Sequence, residues 1–545
     1  MRNLSGVTWG NNDPKRRNLS LSVTSTVWPF AAFVFCLCAV VPPILANLYL
    51  PLIDLPNHIA RLYIAAAPAD SVLLDFYTYG DLWMPNSAAD VIWMILGRSG
   101  DPARFAQLLV AVYAVNYIAA TMVMARVVQG RWTVWSALSG LFVYSAPFFW
   151  GFQNFTLSLP LALYGLALWL ALEDTRWQRW RPALFLPLAG VIYLMHIFGL
   201  LILGLAVFGR EVQRALEDRS RPVPARLAEI SMNIAPFALP VLYLAWALLS
   251  GPPGLGSSQT TFGSIITRFW ALVSPVAAPD KLGLMTINPL SYLALLVLAV
   301  CVIRGIAGHG TRLELAPRLK GTAIALTVAA LLAPEWLNGV WGVHIRVPVV
   351  LAAVLVAGTA WHGLSPRSGA VLCLAFGALI MARGMEFGRM ADRYGDEVAD
   401  LSRVTESLPA GALVLPVRAP GYQRETRFYH FAGHLVRLRE VFLPTLFQGT
   451  HALHLKDRWR RHAEPVYSAI DIRWLSEWVR AEYKVDDIPV MAQNWHMKFT
   501  HVLTVDPITT AQEHWVDLRL RQVAQHERFT LYEIDPRLLP SAPPF

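Results

Sequence analysis

Tyr49-Leu-Pro-Leu-Ile-Asp-Leu-Pro-Asn-His-Ile-Ala-Arg61 is the stretch on which the reading of this chain turns. It follows directly on an apolar run that begins near Val27, so it stands where a membrane helix leaves the bilayer. Asp54, His58 and Arg61 are spaced i, i+4, i+7, which sets all three on one helix face, while Leu55, Ile59 and Leu62 form an apolar one. A helix of this kind is expected to lie along the membrane surface, with an acid, an imidazole and a guanidinium above the headgroups. The same residues also read as a plain helix start, with Asp54 as N-cap and Pro56 in the first turn. A carboxylate can cap in one state and react in another.

Outward from this stretch, composition decides the class. Of 545 residues, 55% are hydrophobic and 15% charged, against about 25% charged in ordinary soluble proteins. Apolar runs of about 20 residues, each long enough to cross a bilayer core, recur through the first 385 positions. The net charge of +9 is carried largely in short loops beside these runs, where it sets orientation. No nucleic-acid-binding signature accompanies it. Cys36, Cys38, Cys301 and Cys373 all lie inside apolar runs, which leaves none for a metal cluster or a disulfide in the polar C-terminal part.

The chain divides into a basic N-terminus (1–26), a membrane domain (27–384) whose first outer loop is 51–102, and a C-terminal α/β domain (385–545). Lys15, Arg16 and Arg17 precede the first run, which has no cleavage site and reads as an anchor with its amino end in the cytoplasm. Spans are expected near 27–49, 104–125, 132–149, 155–172, 227–249, 289–304, 322–333, 347–361 and 369–382, with an interfacial helix at 88–96. The run 182–208 is followed by five arginines that a single crossing would leave outside, so it is expected to be two short helices broken near His196 and Gly199. The total is then about eleven crossings. Beyond 385, strands are expected at 412–417, 500–506 and 529–534 and helices at 396–408 and 469–483.

Three outer elements carry candidate chemistry: the Asp54 helix, the turn at Gln153 and Asn154, and the loop bearing His344 and Arg346. Arg346, just before Pro348, can grip a phosphate bidentately or snorkel to ordinary headgroups. Glu335 belongs to the site or merely solvates its loop, and His196 is either a site residue or a satisfied core histidine. His430 and His434, four apart, either chelate a metal or mark a solvated helix face; no third ligand is in view. Zinc, Walker and serine-hydrolase motifs are missing from the sequence.

An acid directly after the first membrane helix, interfacial helices in a large first loop, a late outer loop with Arg before Pro, and a terminal α/β domain together resemble the GT-C membrane glycosyltransferases. These include the aminoarabinose transferases of lipid A and the protein mannosyltransferases. At residue level the resemblance rests on Asp54 to Arg61, Trp150 to Phe155 and His344 to Pro348. It implies a polyprenyl-phosphate-linked sugar donor, a lipid, glycan or protein acceptor, and a bacterial inner (plasma) membrane with the C-terminal domain periplasmic. It further implies Asp54 and His58 as catalytic residues, with Arg61, Gln153, Asn154, His196, Glu335, His344 and Arg346 binding substrate. Many relatives carry a second acid after the first where this chain has Leu55, so a divalent cation is admitted but metal use through paired acids is disfavoured. A transporter or flippase, in which Asp54, His196 and Arg346 line a path, and a non-catalytic assembly or glycan-sensing protein are the competing readings. Collection of the ionisable groups at one surface favours the enzyme.

Overall fold

The structure is a computed structural model that describes residues 24–80, 82–250, 260–279, 288–306, 310–422, 425–447, 452–463 and 468–535. The basic N-terminus, Asp81, Asp280, Lys281 and Arg424 lie outside the described residues.

Helix α1 (Thr24–Ala46) leads into α2 (Leu55–Ala65), the strand β1 (Tyr77–Tyr79) and α3 (Ala88–Ile95). Then come α4 (Pro102–Gln129), α5 (Gln153–Ala171), α6 (Arg181–Met195), α7 (Ile197–Glu217), α8 (Val223–Ser250) and α9 (Pro289–Ile306). The helical part closes with α10 (Lys320–Leu332), α11 (Val343–Gly358) and α12 (Pro366–Val404). Among the described residues five helices are long and apolar enough to cross a membrane, namely 26–46, 102–129, 153–171, 223–246 and 366–404, and two apolar ones are shorter. Exposed Phe30, Leu242, Ile303 and Leu374 fit faces turned to lipid, where apolar exposure costs nothing.

The run 182–208 breaks at His196, whose extended backbone (φ −169°, ψ 130°) ends α6 and whose Nδ1 caps α7 by accepting from the Phe198 amide at 3.1 Å. The two helices double back: Arg181 at the start of α6 meets Glu211 near the end of α7 at 3.3 Å. A Cβ on Gly199 would lie 2.3 Å from the Ser158 hydroxyl, so only glycine permits the approach of α7 to α5 at this bend.

The expected span 132–149 is not one helix. It is a helical turn at Val134–Ala137, a 3-10 turn at Leu138–Phe142 and a second helical turn at Ala146–Phe149. Backbone of this kind is tolerable inside a bundle only when protein groups replace the lost helical bonds. They do so here. Tyr113 donates to the Val143 carbonyl at 3.2 Å, Arg383 donates to the Tyr144 carbonyl, and the Ala146 amide reaches the Ser274 carbonyl at 2.8 Å. Ser139, Gly140, Ser145 and Pro147 are the weak helix formers responsible.

Helix α12 runs unbroken for 39 residues, about 58 Å at 1.5 Å per residue, straight through position 385. The chain beyond it forms β2 (Val414–Arg418), a helical turn α13 (His434–Arg439), β3 (Leu453–Leu455), β4 (Ile470–Asp471), β5 (His501–Thr504), β6 (Leu520–His526) and β7 (Phe529–Ile534). Five of these strands make one mixed sheet in the order β6-β7-β5-β2-β4, with β2 parallel to β4 and β5. The expected helix 469–483 is instead β4, a 3-10 turn and a short helix at Glu477–Ala481.

Helix α2 joins the two halves of the molecule. Leu55, Ile59 and Leu62 pack into the core of the helical bundle, whereas Ala60 and Ile64 pack into the core built around the sheet. The surface-lying arrangement expected from the sequence is thereby overturned: His58 and Arg61 are buried along with nearly all of α2. The cover comes from 433–447 and β3. Asn57 donates to the Thr445 carbonyl, Tyr63 to Glu440 and Tyr77 to the Leu443 carbonyl, and β1 pairs antiparallel with β3. Arg437 on α13 completes the clamp with Asp101 at 2.8 Å and Tyr49 at 2.7 Å.

Candidate active site

Asp54 sits at the end of α2 nearest the bundle, and its carboxylate makes no capping bond. Its amide donates to the Trp150 carbonyl at 3.0 Å. Gly151, at φ +74°, allows this contact, since a Cβ there would come within 2.8 Å of the Asp54 nitrogen. The carboxylate Oδ1 lies 3.4 Å from Nε2 of His430, and the Asp54 side chain keeps 14% exposure. Burial pushes the Asp54 carboxyl up to about 8, against the opposing pull of the Arg346 guanidinium.

Arg346 itself is buried in the first turns of α11, under an aromatic cage. Its guanidinium carbon lies 4.2 Å from the Phe152 ring centre, 4.8 Å from Phe198 and 5.5 Å from Phe155. Cation–π contacts of this kind hold a guanidinium without neutralising it. Nη1 donates to the Trp341 carbonyl at 3.1 Å, and Nε has no hydrogen-bond partner among the described residues. The Trp341 indole packs tilted against Trp150, ring centres 4.2 Å apart, and donates to Glu335 at 3.2 Å, so Glu335 steers that ring. His344 packs edge-on to Trp341, its Nδ1 without a hydrogen-bond partner.

The remaining sequence candidates turn elsewhere. Arg61 meets Asp90 on α3 at 2.8 Å, and Tyr79 donates to the same carboxylate. His58 Nδ1 lies 3.2 Å from Arg61, and its ring rests on Phe447, which also packs against His430. The histidine on the Asp54 carboxylate is thus His430, and not the expected His58. Gln153 donates to the Ala106 carbonyl; Asn154 accepts from Ala89 and donates to Asn86, which pins the first loop to α5. His196 caps α7 and packs on Phe155 and Phe198, the rings beneath Arg346.

His430 and His434 are buried, not on a solvated face. His434 packs against Tyr49 and Phe431, with Tyr394 Oη at 3.3 Å, and burial together with the Arg437 charge pushes its imidazole down to about 3. No cluster of three His, Cys, Asp or Glu occurs among the described residues, and the Asp54 carboxylate already feels the pull of the Arg346 guanidinium. The sequence offers His430 only as a metal chelator or a solvated helix position, and its contact with Asp54 is what that reading misses. The aromatic density of Trp150–Phe155 and Trp336–Trp341 was the signal available for the cage around Arg346.

What the arrangement offers chemically is a carboxylate of raised basicity beside an imidazole, within the field of a caged guanidinium. No protein-family model matches the chain, and no curated protein sequence matches it. Two solved structures are similar. One is ArnT from Cupriavidus metallidurans in the apo state, with 15% identity, 95% of this chain and 99% of that one covered, and a TM-score of 0.48. The other is the Archaeoglobus fulgidus oligosaccharyltransferase in complex with Zn and sulfate, with 12% identity, 88% and 67% covered, and a TM-score of 0.40.

Proposed function

We propose that this chain is a multi-pass membrane glycosyltransferase of the GT-C type, moving a sugar from a polyprenyl-phosphate donor to an envelope lipid, glycan or protein acceptor at the outer face of a bacterial inner membrane. The observation that carries the reading is that Asp54, bonded through its amide to Trp150, and Arg346, caged by the neighbouring Phe152 ring, share one neighbourhood of the bundle, with His430 of the C-terminal part on the Asp54 carboxylate. In the reaction, the Asp54 carboxylate takes the proton from an acceptor hydroxyl or amine as the acceptor atom bonds to the anomeric carbon. The bond from that carbon to the phosphate oxygen breaks, and polyprenyl phosphate leaves with the electron pair. A single displacement inverts the sugar carbon. Arg346 offers the leaving phosphate a charge-assisted bond as negative charge grows on it, the moment at which a preorganised cation counts most. A base with a pKa near the working pH combines adequate basicity with adequate deprotonation. His430 is a positioning residue that fixes the rotamer of Asp54 from the C-terminal side, and His58 acts through Phe447 on His430.

The test is glycosyl transfer by the full-length protein in detergent from a panel of synthetic polyprenyl-phosphate sugars. Turnover that collapses in Asp54→Asn while the variant still binds donor supports the reading. If His430 donates Nε2–H to Asp54, His430→Phe raises the midpoint of the pH–rate profile rather than abolishing turnover. Absence of donor binding by the wild type, or normal turnover by Asp54→Asn, would return the transporter and sensor readings to the front.

A further inference from the structure

The end of the bundle remote from Asp54 holds a cavity of about 460 Å³, lined among others by Trp28, Arg126, Arg131, Trp132, Trp135 and Trp361. Its distance from the acid follows from the helices that connect the two places. Helix α1 runs from the cavity wall to the segment before Asp54, and α4 from the Asp101 clamp to Arg126. Helix α11 carries Arg346 in its first turns and ends at Thr359 on the cavity. With 23 residues in α1 and 28 in α4, the separation is about 35 to 42 Å at 1.5 Å per residue. That matches the thickness of a bilayer, so the cavity lies at the opposite membrane surface.

The charged side chains of the cavity are both arginines, set beside the hydroxyls of Thr26, Thr133 and Thr359. Arg126 and Arg131 bring two positive charges, and among the described residues no acid forms an ion pair with either. The indole Nε1 atoms of Trp135 and Trp361 are buried without a hydrogen-bond partner, their rings 5.7 Å apart at 82°. Gln129 is already committed, donating to the Ala357 and Thr359 carbonyls. Two guanidinium groups, with two unmatched indole N–H groups in the wall behind them, suit one anion with several acceptor oxygens. Exposed Trp28 on α1 forms an apolar rim facing the lipid side.

We infer that this cavity binds the phosphate of an anionic phospholipid headgroup, drawn from the leaflet remote from Asp54. Basic pockets between membrane helices recognise anionic headgroups by charge and hydrogen bonding together, and tryptophan is suited to the headgroup level. Arginine at a membrane surface can also snorkel to any headgroup, and selectivity separates the two cases.

The experiment is native mass spectrometry of the full chain, stripped of lipid in detergent and then offered phosphatidylglycerol and phosphatidylcholine in equal amounts. Retention of phosphatidylglycerol at collision energies that remove phosphatidylcholine is expected. Arg126→Gln with Arg131→Gln should cut that retention at least tenfold, and Trp361→Phe, which keeps the ring and loses only the N–H, severalfold. Arg104→Gln with Arg389→Gln removes two charges elsewhere and should leave it unchanged; equal loss there would reduce the effect to bulk charge and overturn the site. Displacement by millimolar inorganic phosphate would keep the phosphate site but make its ligand a soluble anion. Equal retention of the two lipids, or full retention in either cavity variant, overturns the inference.

Discussion

Glu173, Glu211, Arg181 and Arg210 at the far end of the bundle are buried, as Arg346 is and Asp54 mostly is at the other, yet only the first set meets opposite charges in place. Arg210 grips Glu173 with two bonds of 2.9 and 3.0 Å, Arg181 pairs with Glu211 at 3.3 Å, Trp169 donates to that same Glu211 oxygen, and Asn233 donates to the other. This network ties the start of α6 to the end of α7 and holds the hairpin shut. At the other end, Arg346 is held by rings and one carbonyl, and Asp54 by one imidazole at 3.4 Å. Buried charges that meet opposite charges in place fix a fold; a buried cation held by rings and a carbonyl is kept for something that arrives later.

The strongest way to break this contrast is at Asp54. Asp54→Asn is nearly isosteric and keeps an oxygen, so the proposed transfer rate should fall about a thousandfold, in the middle of the range for loss of a general base, with donor affinity changed little. A fall below about tenfold would mean that Asp54 is not where the proton goes. Glu211→Gln asks the converse question of the paired end. It strips Arg181 and Asn233 of their charged partner and should destabilise the protein by about 3 kcal/mol, as loss of one member of a buried pair does. The specific activity of the folded fraction should stay within about twofold, because nothing there meets the proposed substrate. Arg346→Lys keeps the charge and loses the planar fork; about a thirtyfold drop in kcat/KM for the phosphate donor is expected. An unchanged value would make Arg346 a simple anchor of α11.

How far this contrast could be read beforehand differs between the two ends. The hairpin at His196 was legible because five arginines after one apolar run conflict with a single crossing, and charge placement is a strong local constraint. The proximity of Asp54 to a membrane helix was legible for the same reason, being set by residues adjacent in sequence. The burial of α2 was not. A helix with an apolar face toward one core and small or apolar Ala60 and Ile64 toward another looks amphipathic in isolation, and what covers it comes from residues 433–447. His430 escaped for that reason: the contact that gives it meaning spans most of the chain. The broken crossing at 134–149 was misread as a span because its hydropathy is continuous, although its Ser, Gly and Pro residues mark the break.

The smallest effect is also the most direct measure of how poorly Asp54 is compensated. Its carboxyl is held at about 8 in the folded protein, against about 3.9 for an unhindered aspartate. Between those values the folded state keeps a proton that the unfolded chain has released, so stability falls as pH rises across the window. The favourable contribution is complete below about 4 and lost as pH passes through 8. Asp54→Asn cannot titrate. The melting temperature of the variant relative to wild type should therefore be level below about pH 4, climb from there through neutrality and level off above about 8, by a few degrees in all. Scanning fluorimetry in detergent at fixed ionic strength measures it. A flat difference would mean that His430 and Arg346 together already satisfy the carboxylate, which would move Asp54 to the same side of the comparison as Glu211.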